Sequence, residues 1–224
     1  MKGKLIVIEG VDGSGKQTQS EMLFQTLQGK GLNVRKIEFP DYDSESSTLV
    51  KMYLRGDFGK DPADVSAYVA SSFFAADRYA SFMTKWKAFY EAGGIIIADR
   101  YTTANMVHQA SKLPDQAEKD KFLHWVYELE FEMYKLPKPD VVFFLDVPPE
   151  ITMAMTKERM NKITGEAQKD IHEADEHHLQ ASYENAHYVA RKYGWKVIHC
   201  VREESMRTKE DIFQEILGKT EDAL

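Results

Sequence analysis

Gly10-Val11-Asp12-Gly13-Ser14-Gly15-Lys16-Gln17-Thr18 follows directly on the apolar run Leu5-Ile6-Val7-Ile8. A strand that breaks into a glycine-rich turn and then a helix gathers backbone N–H groups around one concave point. The helix N-terminus adds partial positive charge, and Lys16 extends toward a β- or γ-phosphate. The interval from Gly10 to Gly15-Lys16 is that of a phosphate-binding loop, placed between strand and helix as such a loop requires. The stretch therefore reads as a site for a nucleoside polyphosphate. At position 17, where Ser or Thr would offer Mg²⁺ a hydroxyl, the chain carries Gln17, with Thr18 one place later. Carboxylates, phosphate oxygens and water must then complete a metal shell.

Outward from this loop, short apolar runs alternate with helical patterns: Leu5–Ile8, Asn33–Glu38, Ile95–Ala98, Val141–Leu145 and Lys196–Val201. Runs rich in Val and Ile suit strands covered on both faces. The alternation predicts an α/β fold of three layers, a five-stranded parallel sheet with helices on both faces. No Pro/Gly/Ser linker or repeat divides residues 1–224, which read as a single domain. Helices are expected over about Gly15–Lys30, Pro62–Ala92 with Asp61 as cap, Asp115–Tyr134, from Pro148-Pro149 onward, and over Thr208–Leu217, with a frayed tail after it.

The 224 residues carry 29 Lys plus Arg against 36 Asp plus Glu, a formal charge of −7. That balance opposes binding a long nucleic-acid backbone, whereas a small phosphorylated substrate needs only a local basic pocket. Cys200, the one cysteine, excludes an intramolecular disulfide and a Cys₄ zinc site, and reads as a buried thiol. The N-terminal apolar run is too short for a signal peptide or membrane span, so a cytoplasmic protein is the expectation. The seven histidines show no metal-ligand spacing and read mostly as solvent-facing.

In an open parallel sheet, ligands collect outside the carboxyl ends of the strands. Asp12 lies in the loop there, Phe39 and Tyr42 follow the second strand, and Asp99-Arg100-Tyr101 follows the third. Asp99 is placed to hold Mg²⁺ through water while Arg100 clamps a phosphate; the plainer alternative is an ion pair at a strand end. Phe74 and Arg78 share a helical face, where a ring can stack on a nucleobase and a guanidinium can donate to its carbonyl. A core Phe beside a snorkelling Arg fits the same spacing. The charged segment around 156–176 is by default a solvated helix face. Beside a phosphate loop it reads as a lid whose cation offsets charge during transfer.

Ile8–Lys16, Phe39-Pro40, Phe74-Ala75-Ala76-Asp77-Arg78, Asp99-Arg100-Tyr101, Leu136-Pro137-Lys138-Pro139-Asp140 and the lid together resemble the thymidylate kinases, of the nucleoside monophosphate kinase group. The resemblance runs from about Lys4 to Glu184 and implies a P-loop kinase fold, with transfer of the ATP γ-phosphoryl group to thymidine monophosphate. It implies that Lys16 and the loop amides hold the ATP phosphates, and that Asp12 lies near the acceptor sugar and the metal. Phe74 would stack on thymine, Arg78 would bond a base carbonyl, Asn105 would make a polar base contact, and Arg100 would orient the acceptor phosphate, with Phe39 and Tyr42 lining that side. Arg159 would be the lid cation, assisted by Lys157, Lys162 or Lys169, because the loop position that carries an Arg in some members is Gly13 here. His108 stands where members carry an aromatic residue near the sugar, and His172 replaces a tyrosine beside base and sugar. The implied cofactor is Mg²⁺ and the implied assembly a homodimer; the aromatic helix around Val65–Phe89, too apolar for one buried stripe, fits pairing with a second copy or a central helix wrapped by its own domain. A kinase for another nucleotide or nucleoside, and a binding module without catalysis, are the alternatives the residues leave open.

Overall fold

The computed structural model describes residues 2–156, 171–203 and 205–224. The chain runs through β1 (Lys4–Glu9), α1 (Lys16–Gly29), β2 (Val34–Glu38), α2 (Thr48–Leu54), α3 (Ala67–Ser81), α4 (Lys87–Glu91), β3 (Ile95–Asp99) and α5 (Thr102–Ala104). It continues with α6 (Gln116–Tyr127), β4 (Val141–Asp146), α7 (Pro149–Thr156), α8 (Ile171–Ala174), α9 (Glu176–Tyr193), β5 (Lys196–His199), β6 (Val201–Arg202), β7 (Ser205–Met206) and α10 (Lys209–Glu221). Five strands pair in parallel in the order β2-β3-β1-β4-β5, as the apolar runs predict.

Side-chain alternation along each strand feeds two cores. Ile6 and Ile8 of β1 join Ile97, Phe143 and Ile198 beneath Leu23 and Leu27 of α1 and Ile212 and Ile216 of α10. Leu5 and Val7 point the other way, to Ile96, Phe82, Trp86 and Tyr101. Each such fully buried aliphatic side chain contributes roughly 1.5–3 kcal/mol by leaving water, which is why both faces must be covered. From β1 the chain leaves toward β2 on one side, and β3 returns across it to β4 on the other. The crevice that opens at this switch lies outside the carboxyl end of β1.

Several sequence expectations shift. The segment expected as one helix from Pro62 begins as a separate 3₁₀ turn at Pro62–Asp64, where Asp61 and Asp64 cap each other, and α3 starts afresh at Ala67 under Ser66. The run Lys196–Val201 splits: β5 stops at His199, and Val201 turns into a small antiparallel hairpin with Ser205-Met206. The expected frayed tail is helical to Glu221, with Thr220 buried. Three π turns, at Phe82–Trp86, Asn105–Gln109 and Glu128–Met133, interrupt helical runs and rotate the faces of the residues that follow.

Candidate active site

The loop between β1 and α1 is shaped by its glycines. A Cβ on Gly10 would meet Ser14 Oγ at 2.5 Å, and Gly15, the residue before α1, adopts φ +91. The first-turn amides of α1 have no intrahelical acceptors, so they face the mouth of the loop. Lys16 Nζ rests on Val11 O at 2.9 Å and lies 3.8 Å from Asp12 Oδ1. Burial, and then Arg100, draw the Lys16 ammonium down to a pKa of about 8 against the pull of Asp12, Asp99 and Glu9. Ser14 Oγ is sealed in the loop without a partner among the described residues. Gln17 and Thr18 are exposed on the first turn of α1.

Arg100 stands at the end of β3 with φ +65, a left-handed conformation costly for a side chain with Cβ. What over-determines it is a set of three acceptors. Its Nη2 donates to Asp12 Oδ1 at 2.7 Å, and its Nη1 to Glu9 Oε1 at 3.0 Å and His108 Nε2 at 2.9 Å. Glu9 is fully buried and also accepts from Gly10 N and Thr103 Oγ1. Burial alone would raise the Asp12 carboxyl, but Arg100 and Lys16 hold it well below the usual range. Burial works against the Arg100 cation, and Asp12, Glu9 and Asp99 more than restore it. Asp99 is itself buried beside them. The plainer reading of Asp99-Arg100, a surface ion pair, does not hold.

Behind Arg100 the structure assembles residues that sequence spacing did not connect. His108, His172 and His178 are buried together, with ring centroids 4.6–6.2 Å apart, while His124, His177 and His199 are exposed and His187 is half-buried, so the expectation that most histidines face solvent fails only for these three. Lys112 Nζ donates to Tyr53 Oη at 2.6 Å, and Tyr53 Oη is hydrogen-bonded to His172 Nε2 at 2.7 Å. Burial first, then Arg100 for His108 and neighbouring imidazoles for His172, hold both rings neutral, far below the ordinary histidine range. Burial and Lys112 bring His178 to about 4.

Arg78 does not snorkel. It is 1% exposed and locked side-on to fully buried Glu130 by two bonds of 2.6 Å. Asn105 joins the same carboxylate from the π turn that also carries His108. Phe74 is half-buried, edge-on to Tyr53 at 6.1 Å. Phe39 lies in the second core, 6.0 Å from the Tyr101 ring, and Tyr42 sits in the loop that Asp77 pins to α3 through Asp41 N and Ser46 Oγ. Arg159, Lys157, Lys162 and Lys169 lie outside the described residues.

Glu9, Tyr53, Lys112, Glu130 and His178 are the polar residues of this region that sequence reasoning missed. Only Glu9 carried a signal, as the carboxyl-terminal residue of the strand that feeds the loop.

A parallel sheet with a phosphate loop at its switch point, an arginine bridging that loop to the neighbouring strand end, and helices over both faces define a P-loop kinase fold. The thymidylate kinase family profile matches residues 8–213. The chain is 34% identical over 172 residues to thymidylate kinase of Mycobacterium tuberculosis (strain H37Rv), covering 76% of this chain and 78% of that one. It is 28% identical over 194 residues to thymidylate kinase of Plasmodium falciparum, covering 81% and 80%. A probable thymidylate kinase of Thermococcus kodakarensis is 31% identical over 169 residues, covering 73% and 75%. The chain belongs to the thymidylate kinase family.

Proposed function

We propose that this chain transfers the γ-phosphoryl group of ATP to thymidine monophosphate, giving ADP and thymidine diphosphate. The observation that carries the reading is the Arg100 node, a cation held 2.7 Å from the loop's Asp12 and tied to His108 on the acceptor side. A phosphate oxygen of the acceptor forms the new P–O bond as the bond to the β–γ bridging oxygen of ATP breaks. Such a transfer needs alignment and charge neutralisation more than covalent help. Lys16 exchanges Val11 O for β- and γ-phosphate oxygens. Arg100 presents its guanidinium to the acceptor phosphate, and its ties to Glu9 and Asp12 keep it from collapsing onto the donor. Phe74 stacks on the base, Arg78 and Asn105 read its edge, and Phe39, Tyr42, His108 and His172 shape the acceptor side. Arg159 supplies the lid cation, a role resting on sequence alone.

Among the described residues no group of three or more His, Cys, Asp or Glu side chains could hold a metal by itself. Asp12 has one carboxylate oxygen without a partner among the described residues, and Asp99 is close by. This fits Mg²⁺, which takes one or two carboxylates and completes its shell with phosphates and water. Bound there with ATP, it would spread the negative charge of the β- and γ-phosphates.

Val69, Tyr79 and Met83 are 48%, 41% and 44% exposed along α3 and its π continuation, which supports pairing with a second copy through this face. No described helix is long and apolar enough to cross a membrane. The acidic balance and the buried thiol fit a cytoplasmic enzyme of small anionic substrates rather than of nucleic-acid polymers.

The test is conversion of ATP and thymidine monophosphate by purified protein, followed by chromatography of the nucleotides. Both diphosphates should accumulate in equal amounts, and Lys16→Ala should stop it. Turnover no higher than that of the Lys16→Ala control would overturn the reading.

A further inference from the structure

Glu130 sits in the π turn Glu128–Met133, its side chain fully buried. A carboxylate only accepts hydrogen bonds, and four reach this one. Arg78 donates from Nε to Oε2 and from Nη2 to Oε1, both at 2.6 Å. Thr102 Oγ1 donates to Oε2 at 2.9 Å, and Asn105 Nδ2 to Oε1 at 3.2 Å. Asn105 Nδ2 donates also to Ser71 O at 3.2 Å.

The choice of atoms has consequences. The Nε–Nη2 edge of Arg78 is spent on Glu130, so Nη1 and its two N–H groups remain. The amide nitrogen of Asn105 meets two acceptors, so the amide cannot flip without losing both bonds, and Oδ1 remains. Neither Nη1 nor Oδ1 has a partner among the described residues, which leaves one donor group and one acceptor unspent at this junction.

We infer that Glu130 is a positioning residue that sets the polarity of the base-reading edge, with Arg78 Nη1 fixed as donor and Asn105 Oδ1 as acceptor. The inference rests on the proposed thymidine monophosphate site. A 4-keto pyrimidine offers the complement, a carbonyl oxygen beside an N3–H. Cytosine inverts both groups, setting its amino group against a donor and its bare N3 against an acceptor, at the same ring size and with the same sugar. Such rejection is strong because buried polar groups are left unpaired on both sides. A glutamine at position 130 would bring N–H groups into this junction, release Asn105 to rotate, and leave the edge without a fixed polarity.

The experiment compares kcat/KM for thymidine monophosphate and deoxycytidine monophosphate in wild type, Glu130→Asp and Glu130→Gln, with KM for ATP and the melting curve of each. The ratio between the two acceptors should fall about tenfold or more in Glu130→Gln, mainly through KM for thymidine monophosphate, with KM for ATP unchanged. Glu130→Asp, which keeps the charge but retracts it, should lie between. A merely structural loss would lower both acceptors alike and leave the ratio intact. A folded variant of either kind that keeps the wild-type ratio overturns the inference, and Glu130→Asp carries the test if Glu130→Gln does not fold. Failure of the wild type to phosphorylate thymidine monophosphate would instead overturn the function on which it rests.

Discussion

Lys16 gives the sharpest consequence of the site's electrostatics. Its ammonium is buried beside Arg100, which sets its pKa at about 8 in the free protein. A bound triphosphate restores the proton, because anionic oxygens replace Val11 O against Nζ. ATP binding above pH 8 must therefore take up a proton, at about tenfold in affinity for each pH unit. From pH 7.5 to 9.5 the Kd for ATP should rise about 25-fold, or about 2 kcal/mol. Isothermal titration in two buffers of different ionisation enthalpy reads both quantities, with uptake of about half a proton at pH 8. Asp12→Asn removes a contribution that holds the Lys16 pKa up, so the break should move below pH 8. An ATP affinity flat to pH 9.5 without proton uptake would refute the description of a desolvated Lys16.

Three further outcomes follow from the same geometry. Holding Lys16 charged at pH 7 costs about 3 kcal/mol of stability, so Lys16→Met should abolish ATP binding yet raise the unfolding free energy in urea. The buried imidazoles act in the acid range. His178 titrates near 6.5 unfolded and at about 4 folded, so the unfolded chain binds more protons between these values and stability falls as pH drops through them. Urea unfolding should be about 2 kcal/mol weaker at pH 5 than at pH 7 from His178 alone, and His178→Gln should reduce the measured difference by about that amount, leaving the share of His108 and His172. Arg78→Met leaves Glu130 buried and unpaired, at about 3–5 kcal/mol in melting or urea experiments; adding Glu130→Leu should recover much of it without restoring base discrimination.

The sheet and the loop were legible because each is local. Val/Ile runs mark strands covered on both faces; in the loop, Gly10 marks a close approach that a Cβ would block, and Gly13 and Gly15 a left-handed backbone. Arg100 was legible as a strand-end cation, but not its left-handed backbone, which Asp12, Glu9 and His108 impose from elsewhere in the chain. The Glu130 junction was illegible for a related reason. Its partner Arg78 is 52 positions away, and the π turns that bring Glu130 and Asn105 inward leave no mark in helical periodicity. The histidine cluster joins residues from the π turn after α5, from α8 and from α9, so spacing within any one segment carries no sign of it. The hairpin after β5 defeated the apolar pattern because Val201 continues the run while Arg207 N, bonded to Cys200 O, turns the chain.

The most direct measurement follows the γ-phosphorus of labelled ATP in wild type and in Arg100→Ala. Label should appear in the β-phosphate of thymidine diphosphate, with kcat/KM lower by about 10²–10³ in the variant and KM for ATP nearly unchanged. Label released only as inorganic phosphate, or transfer undiminished without Arg100, would contradict a guanidinium that joins donor loop to acceptor.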